Sequence, residues 1–296
     1  MTTLEEAPER RAAGSRRRIP TGYLLMIPGV AWLFIFFVVP FYSLVATSLF
    51  DPDGSVLDGY EMTWSIGNYA NALEQYWGPL VRSLVYGGIA TLLCLVIGYV
   101  LAYAIAFKAG RWKNLMLVLV IAPFFTSFLV RTLSWKLILA DDGWVVSALQ
   151  FLQIVGDDGR ILATPVAVVA GLTYNFLPFM VLPLYASLEK IDGRLIEAAT
   201  DLYASPARGF WRVTWPLSTP GIVAGTLLTF IPASGDYINA QLLGSPNQRM
   251  VGSVIQNLFT DAGDYPIAGA MSITLMLIIV VMVVLYARRS GAEDLV

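Results

Sequence analysis

Residues 83–107 read SLVYGGIATLLCLVIGYVLAYAIAF, a run of 25 consecutive positions without a charged side chain. The hydrocarbon core of a bilayer is about 30 Å thick, and a helix needs about 20 apolar residues to cross it. An outer-membrane strand would instead alternate apolar and polar residues over about ten positions. This run therefore predicts a transmembrane helix.

Five further apolar runs, on either side of this segment, meet the same length test. They are residues 23–49, 115–139, 162–188, 221–243 and 267–287. The chain of 296 residues is 57% hydrophobic and 14% charged, whereas soluble domains carry about 25% charged residues. We therefore predict an all-α integral membrane protein with about six transmembrane helices.

The connections between these runs differ in charge, and the difference predicts the orientation of the chain. Cytoplasmic connections of membrane proteins are enriched in Lys and Arg. Here the cations concentrate in the N-terminal tail, the second and fourth connections and the C-terminal tail, while the other connections are mainly acidic. We predict cytoplasmic termini, with a disordered tail at 1–18, a transmembrane domain at 19–290 and a short tail at 291–296.

The residue types in the chain exclude several kinds of site. Cys94 is the single cysteine and the chain has no histidine, so an internal disulfide is impossible and the commonest transition-metal ligand is missing. No Gly-x-x-x-x-Gly-Lys-Ser/Thr sequence is present to bind ATP phosphates. We expect this chain to bind no metal and no cofactor, and the composition argues against a membrane enzyme.

A shorter apolar stretch, residues 144–155, lies between two pairs of acidic residues. Its length is insufficient to span a bilayer. A short apolar segment beside polar connections is typical of an interfacial or re-entrant helix. We predict that it lies against the outer face of the helix bundle.

The connection between the fourth and fifth runs, residues 189–216, has the pattern of two short helices. Asp192 is a candidate N-cap of the first helix, in which apolar residues recur at helical spacing. Ser205 and Pro206 suit the cap and the first position of the second helix. A helix pair with small residues at its centre suits insertion into a groove of another protein, and the alternative is a structured connector without a partner.

The same connection carries Glu197-Ala198-Ala199 and, further on, Val213-Thr214-Trp215-Pro216. At this spacing it resembles the EAA loop of permease subunits in binding-protein-dependent ABC importers. The resemblance implies the MetI-like fold of type I importer permeases, and a loop that couples to a cytoplasmic ATPase through Glu197. The residues that it assigns to coupling are Glu197, Ala198, Ala199, Tyr203, Ala204 and Pro216.

Two positions of this loop depart from the family pattern. Tyr203 stands where the family has glycine, and Trp215 stands where it has leucine. Glycine permits a positive φ between the two helices, whereas a tyrosine is sterically disfavoured there. We therefore expect the turn between the helices to differ from the family form.

Four further motifs make the chain similar to the spermidine/putrescine permeases. They are SFLVRTLSW at 127–135, TFIPASGDY at 229–237, LGSP at 243–246 and DYPIAGA at 264–270. Permeases for ferric iron, thiamine and phosphonates share much of this pattern, so these substrates stay open as alternatives.

The resemblance also implies a set of partners in the bacterial inner membrane. They are a second permease subunit, two cytoplasmic ATPase subunits that use ATP and Mg²⁺, an extracytoplasmic substrate-binding protein and the lipid bilayer, with no nucleic acid.

Charged residues lie inside two predicted spans, Arg131 in the third and Asp236 in the fifth, while Lys136 lies near the outer end of the third. A charge at bilayer depth costs about 2.5–3.5 kcal/mol on insertion scales and usually faces an interior or a cavity. Because both spans would run from inside to outside, we place the two side chains at comparable depth. The candidate residues of a translocation path are Asp236, Tyr237, Asn239, Arg131, Tyr174 and Asn175.

Two interpretations of Asp236 follow from this placement. In one, its carboxylate binds a cationic substrate beside aromatic and hydrogen-bonding walls. In the other, Asp236 and Arg131 form an ion pair that joins helices. An embedded acid also suits an ion-coupled secondary transporter, although that alternative gives no reason for the EAA loop.

Overall fold

The computed structural model of the protein describes residues 21–153, 156 and 159–289. The predicted tails at 1–18 and 291–296 lie outside these residues. The described part of the chain is built from helices, with isolated β-bridges at Phe50–Met62 and Ser55–Gly59. An all-helical fold is confirmed.

Within the described residues, four helices are long and apolar enough to cross a membrane, and the number of candidate spans rises to six if each of two bent helix pairs is one span. The α-helices are α1 (Thr21–Leu33), α2 (Val39–Ser48), α3 (Gly67–Phe107), α4 (Lys113–Ile121), α5 (Phe128–Ile138), α6 (Trp144–Phe151), α7 (Pro165–Glu189), α8 (Gly193–Asp201), α9 (Pro206–Gly209), α10 (Trp215–Leu217), α11 (Thr219–Ser234), α12 (Ile238–Leu243), α13 (Val251–Asn257) and α14 (Tyr265–Arg289).

The chain divides into two compact units, Met1–Leu44 and Val45–Val296. In the first unit, α1 continues through a π-helical turn at Phe34–Val38 into α2. Aromatic side chains pack along this helix, and the tilted rings of Trp32 and Phe36 have centroids 4.2 Å apart. The candidate span Leu25–Thr47 matches the first predicted apolar run.

The second unit is organised around α7, which packs against both α3 and α11. Small residues on the two neighbouring helices make room for Met180 of α7, which is fully buried. A Cβ built on Gly98 would lie 3.1 Å from Met180 Cγ, and one on Gly225 would lie 2.7 Å from its Sδ. Gly221 and Gly225 lie four positions apart on α11, a spacing of small residues that allows helices to pack closely.

Two of the predicted spans are not continuous helices. The third is broken between 110–125 and 128–138, and its halves meet at 94°. Thr126 and Ser127 are extended at the break, with ψ of 149° and 138°. The assumption that the third span is one straight helix is therefore wrong, and the comparable depth of Arg131 and Asp236 stays a prediction.

The fifth predicted span also differs from a single helix. A bend of 63° separates the helical segment 206–217 from 219–234. The last part of the long connection and α11 therefore form a bent pair of helices. At the other end α11 stops at Ser234, and Asp236 lies in the gap before α12. The short helix predicted at 144–155 is present as α6, and residues 154 and 155 lie outside the described residues.

Candidate functional site

The connection between α7 and α11 contains the two predicted helices with their predicted caps. Asp192 Oδ1 accepts a hydrogen bond from the backbone N–H of Arg194 at 3.0 Å. Ser205 Oγ accepts one from the N–H of Arg208 at 3.4 Å. Each cap satisfies a backbone donor that the first turn of a helix leaves unpaired, so α8 and α9 begin at defined residues.

The turn between these helices keeps the form that a glycine normally provides. Tyr203 has φ 57°, and its N–H donates to the carbonyl of Thr200 at 2.9 Å, while the N–H of Ala204 donates to that of Ala199 at 3.0 Å. These two bonds form a Schellman motif, which requires a left-handed residue at the position of Tyr203. The expectation that tyrosine changes the turn is wrong, because the two bonds satisfy carbonyls that the end of α8 would otherwise leave free.

Small residues allow α8 and α9 to approach each other. A Cβ built on Gly209 would lie 4.0 Å from the Cβ of Ala199, which is ordinary van der Waals contact. Outward from this contact, Glu197, Ala198 and Pro216 are exposed. Among the described residues, the Glu197 carboxylate has no ion-pair or hydrogen-bond partner. The surface around Glu197 is therefore free within the subunit.

Aromatic side chains attach this connection to the bundle. The ring of Tyr99 on α3 lies 5.5 Å from that of Phe210 and 5.2 Å from that of Trp215, measured between centroids. The hydroxyl groups of Tyr99 and Ser218 are hydrogen-bonded at 2.9 Å and buried. Edge-to-face and tilted ring pairs at these distances are stabilising beyond the area they bury, so the segment after α9 that contains Phe210 and Trp215 is held against α3.

The sequence interpretation did not identify Tyr99 as part of this connection. Its partner Ser218 is 119 positions away along the chain, and Tyr99 sits within an apolar run where aromatic residues are expected in any case. A buried tyrosine hydroxyl usually has a hydrogen-bond partner, but the same run contains several other hydroxyl groups, so this signal does not single out Tyr99.

A second group of predicted residues meets in a buried polar network. Asn175 Nδ2 on α7 donates to Asn239 Oδ1 on α12 at 3.0 Å and lies 3.3 Å from the Thr132 hydroxyl on α5. Asp236 Oδ1 accepts the backbone N–H of Asn239 at 2.8 Å. The network therefore joins three helices, and Asp236 fixes the first turn of α12.

Arg131 lies beside this network without joining it. The guanidinium carbon is 5.1 Å from the ring centroid of Phe124 and 5.5 Å from that of Phe128. Its Nε and Nη1 have no hydrogen-bond partner within the part of the chain that the structure describes. Arg131 and Asp236, both described, do not form the ion pair that one interpretation proposed.

The two predicted tyrosines lie apart from the network. Tyr174 packs against Trp135, with ring centroids 5.4 Å apart, and Tyr237 is 42% exposed. Thr132, which the sequence interpretation missed, does belong to it. In 21–153, 156 and 159–289, no group of three His, Cys, Asp or Glu residues is placed to hold a metal ion.

Comparison with protein-family models finds a match over most of the chain. The model of the family described as "Binding-protein-dependent transport system inner membrane component" matches residues 94–289. The matched range begins within α3 and includes the connection between α7 and α11, the buried polar network and α14.

Curated relatives match over nearly the whole chain. The spermidine/putrescine transport system permease protein PotB of Escherichia coli (strain K12) is 38% identical over 267 residues, covering 90% of this chain and 96% of the relative. The protein of the same name from Haemophilus influenzae is 39% identical over 261 residues, covering 88% and 91%.

Solved structures share the fold at lower identity. A bacterial ABC transporter involved in the import of the acidic polysaccharide alginate contains a chain that superimposes with a TM-score of 0.73 at 19% identity, covering 92% of this chain and 96% of that one. The same type of transporter in complex with a periplasmic protein bound to an alginate pentasaccharide gives a TM-score of 0.69 at 17% identity. The chain therefore shares the fold of these transporter chains.

Proposed function

The chain belongs to the family of binding-protein-dependent transport system inner membrane components, and we propose that it is the permease subunit of an ATP-driven importer of polyamines. The observation that carries the substrate class is its identity of 38–39% to spermidine/putrescine permeases, over about nine-tenths of each chain. Ferric iron, thiamine and phosphonate remain the alternative substrates that the uptake experiment below compares.

Energy for this transport would come from partner subunits. The chain has no P-loop sequence of its own, so ATP and Mg²⁺ would be bound by two cytoplasmic ATPase subunits. A second permease subunit would complete the path through the membrane. An extracytoplasmic binding protein would deliver the polyamine, as the periplasmic protein in the alginate transporter complex suggests for that system.

The connection between α7 and α11 would carry the coupling. Its free carboxylate, Glu197, is exposed on a short helix whose two ends are fixed by a cap and a Schellman turn. The rings of Phe210 and Trp215, which belong to this connection, contact the ring of Tyr99 on α3. A displacement of α8 by an ATPase subunit would therefore reach the bundle through side chains that are already in contact.

The test is uptake of labelled spermidine and putrescine by cells with the gene, without it and with Glu197→Arg. Glu197→Asp is the matched control, because it keeps a carboxylate at the same position. We expect the deletion and Glu197→Arg to abolish uptake, and Glu197→Asp to retain most of it, with equal amounts of each protein in the membrane. Uptake should depend on ATP and resist uncouplers.

Other outcomes would revise the proposal in specific ways. If deletion leaves polyamine uptake intact in a strain without a second system, the substrate class is wrong. A fall in thiamine, iron or phosphonate uptake in that strain would then identify the substrate. Uptake abolished by uncouplers while ATP is maintained would favour an ion-coupled transporter instead.

A further inference from the structure

Tyr203 combines a disfavoured backbone conformation with a side chain that the subunit does not use. Its φ of 57° lies in the left-handed region, where a Cβ crowds the following carbonyl and glycine is favoured. The Schellman turn needs only the backbone at this position, because its hydrogen bonds come from the N–H groups of Tyr203 and Ala204. A glycine would make the same turn without strain.

The side chain of Tyr203 is almost fully exposed. Its exposed fraction is 95%, and that of the neighbouring Leu202 is 81%. In the part of the chain that the structure describes, Tyr203 has no side-chain hydrogen bond or ring contact. No contact within the subunit therefore offsets the strain, and residues strained in this way persist chiefly where they serve a function.

The surroundings of this pair favour a protein partner over a lipid surface. Tyr203 follows the end of α8 and so continues the surface of Glu197, and the exposed charges around it are of both signs, Arg194, Glu197 and Asp201 on α8 and Arg208 on α9. A surface of mixed charge has no net attraction to the negatively charged cytoplasmic leaflet. An exposed aromatic ring next to an aliphatic side chain instead has the composition of an interface anchor.

We propose that Tyr203, with Leu202 beside it, is an anchor that the ATPase subunit receives in an apolar pocket on its surface. This proposal rests on the coupling role given above to α8 and adds a contact that the family's glycine cannot make. The ring is buried only in the assembled complex, so assembly with the ATPase offsets the strain that folding of the subunit leaves in place.

The first experiment purifies the complex through a tag on this chain and measures how much ATPase stays bound. The variants are Tyr203→Gly, Tyr203→Ala and Tyr203→Phe. We expect Gly and Ala to weaken retention by about tenfold or more, as the loss of an interface anchor does, and Phe to retain it. In the absence of the ATPase, Gly should raise the Tm of the chain relative to Ala, because glycine relieves the strain and alanine does not.

Trp64 supplies a matched control on the predicted outer side. It has φ 56° and a side chain that is 68% exposed, so it shares both features of Tyr203 but cannot be reached by a cytoplasmic partner. We expect Trp64→Gly to leave ATPase retention unchanged. If Tyr203→Gly and Tyr203→Ala also leave it unchanged, the anchor is disproved while the coupling role survives. If the wild-type chain retains no ATPase, the coupling role itself fails.

A labelling experiment separates the ATPase from lipid as the occupant. Tyr203→Cys would be treated with a water-soluble maleimide in inside-out vesicles, with and without the ATPase subunits expressed. Cys94 is fully buried and gives a low background. We expect labelling only when the ATPase is absent. Protection without the ATPase would overturn the proposal in favour of insertion into the membrane, and labelling in both cases would show that the ring stays free.

Discussion

At the scale of single residues, Gly221 and Gly209 occupy sites with very different amounts of room. A Cβ on Gly221 would lie 2.5 Å from Ser187 Cβ and 2.7 Å from the carbonyl oxygen of Pro183, whereas a Cβ on Gly209 has no neighbour closer than 4.0 Å. We expect Gly221→Ala to destabilise the protein by about 1–3 kcal/mol, as overpacking does. Gly209→Ala should be neutral or slightly stabilising, because alanine favours a helix.

The measurement is the Tm of each purified variant in detergent. Since both substitutions add one methyl group, they differ only in the packing of the site. Equal Tm values for the two variants would show that α7 and α11 are not in contact at Gly221.

Asp236 has a structural role that can be separated from its charge. Its carboxylate accepts the N–H of Asn239 at the start of α12, and asparagine offers an equivalent acceptor without the charge. We expect Asp236→Asn to keep both stability and uptake. Asp236→Ala should lower stability by about 0.5–2 kcal/mol, the usual effect of losing a cap. Tm and polyamine uptake are measured for both variants.

A loss of substrate affinity in Asp236→Asn would change the interpretation of this carboxylate. If Asp236→Asn assembles normally but loses affinity for the polyamine, the carboxylate contacts the cationic substrate and the capping interpretation is insufficient. Asn175→Asp, one hydrogen bond further along the network, tests whether an added charge nearby restores binding.

At the scale of elements, the ring of Phe210 connects the coupling helices to α3. It contacts Tyr99 and Trp215. Because Phe210 is partly buried, its removal should destabilise this contact by less than the roughly 3–5 kcal/mol of a fully buried aromatic residue. We expect Phe210→Ala to lower uptake strongly while ATP hydrolysis by the complex continues. Both rates are measured in proteoliposomes.

Trp211→Ala is the control for this joint. Trp211 follows directly in sequence and is 60% exposed, and its ring packs on Phe210 and Trp215 without reaching Tyr99. We expect a smaller loss of uptake. If both variants lose transport and hydrolysis together, the cluster maintains the fold rather than the coupling.

Elements could be predicted from the sequence where the signal was local. Apolar runs of about 20 residues have few alternatives to a transmembrane helix, and the caps at Asp192 and Ser205 depend on neighbours within three positions. The break in the third span was not predictable from hydropathy, because Thr126 and Ser127 sit in a run that is apolar on both sides. Apolar content indicates that a segment lies in the membrane, but it does not indicate where the helix of that segment bends.

At the scale of the whole molecule, the polar network shows the limit of the sequence interpretation. Asn175, Asn239 and Asp236 were predicted as neighbours, and the structure does bring them together. Thr132 was missed, since it lies 43 residues from Asn175 in the sequence and nothing local to it indicates that partner. The pairing of Arg131 with Asp236, one of the two interpretations, is wrong because these two described residues form no ion pair.

The length of α3 permits a test of the orientation of the molecule. A kink at Tyr76 divides the 41 residues of α3. The part from 77 to 107 corresponds to about 45 Å of helix at about 1.5 Å per residue, which exceeds the hydrocarbon core of about 30 Å. We therefore expect the residues before and after α3 to lie on opposite sides of the membrane. Leu57 precedes it and is 96% exposed, and Lys108 follows it and is also exposed.

We expect Leu57→Cys to react with a membrane-impermeant maleimide in intact spheroplasts, and Lys108→Cys to react only after permeabilisation. The wild-type chain, in which Cys94 is buried, should stay unlabelled in both conditions. Reaction of both variants from the outside would mean that α3 does not cross the bilayer. Exchange of the two patterns would place α8 outside, where an ATPase subunit could not reach Glu197, and the coupling role would fail along with the orientation.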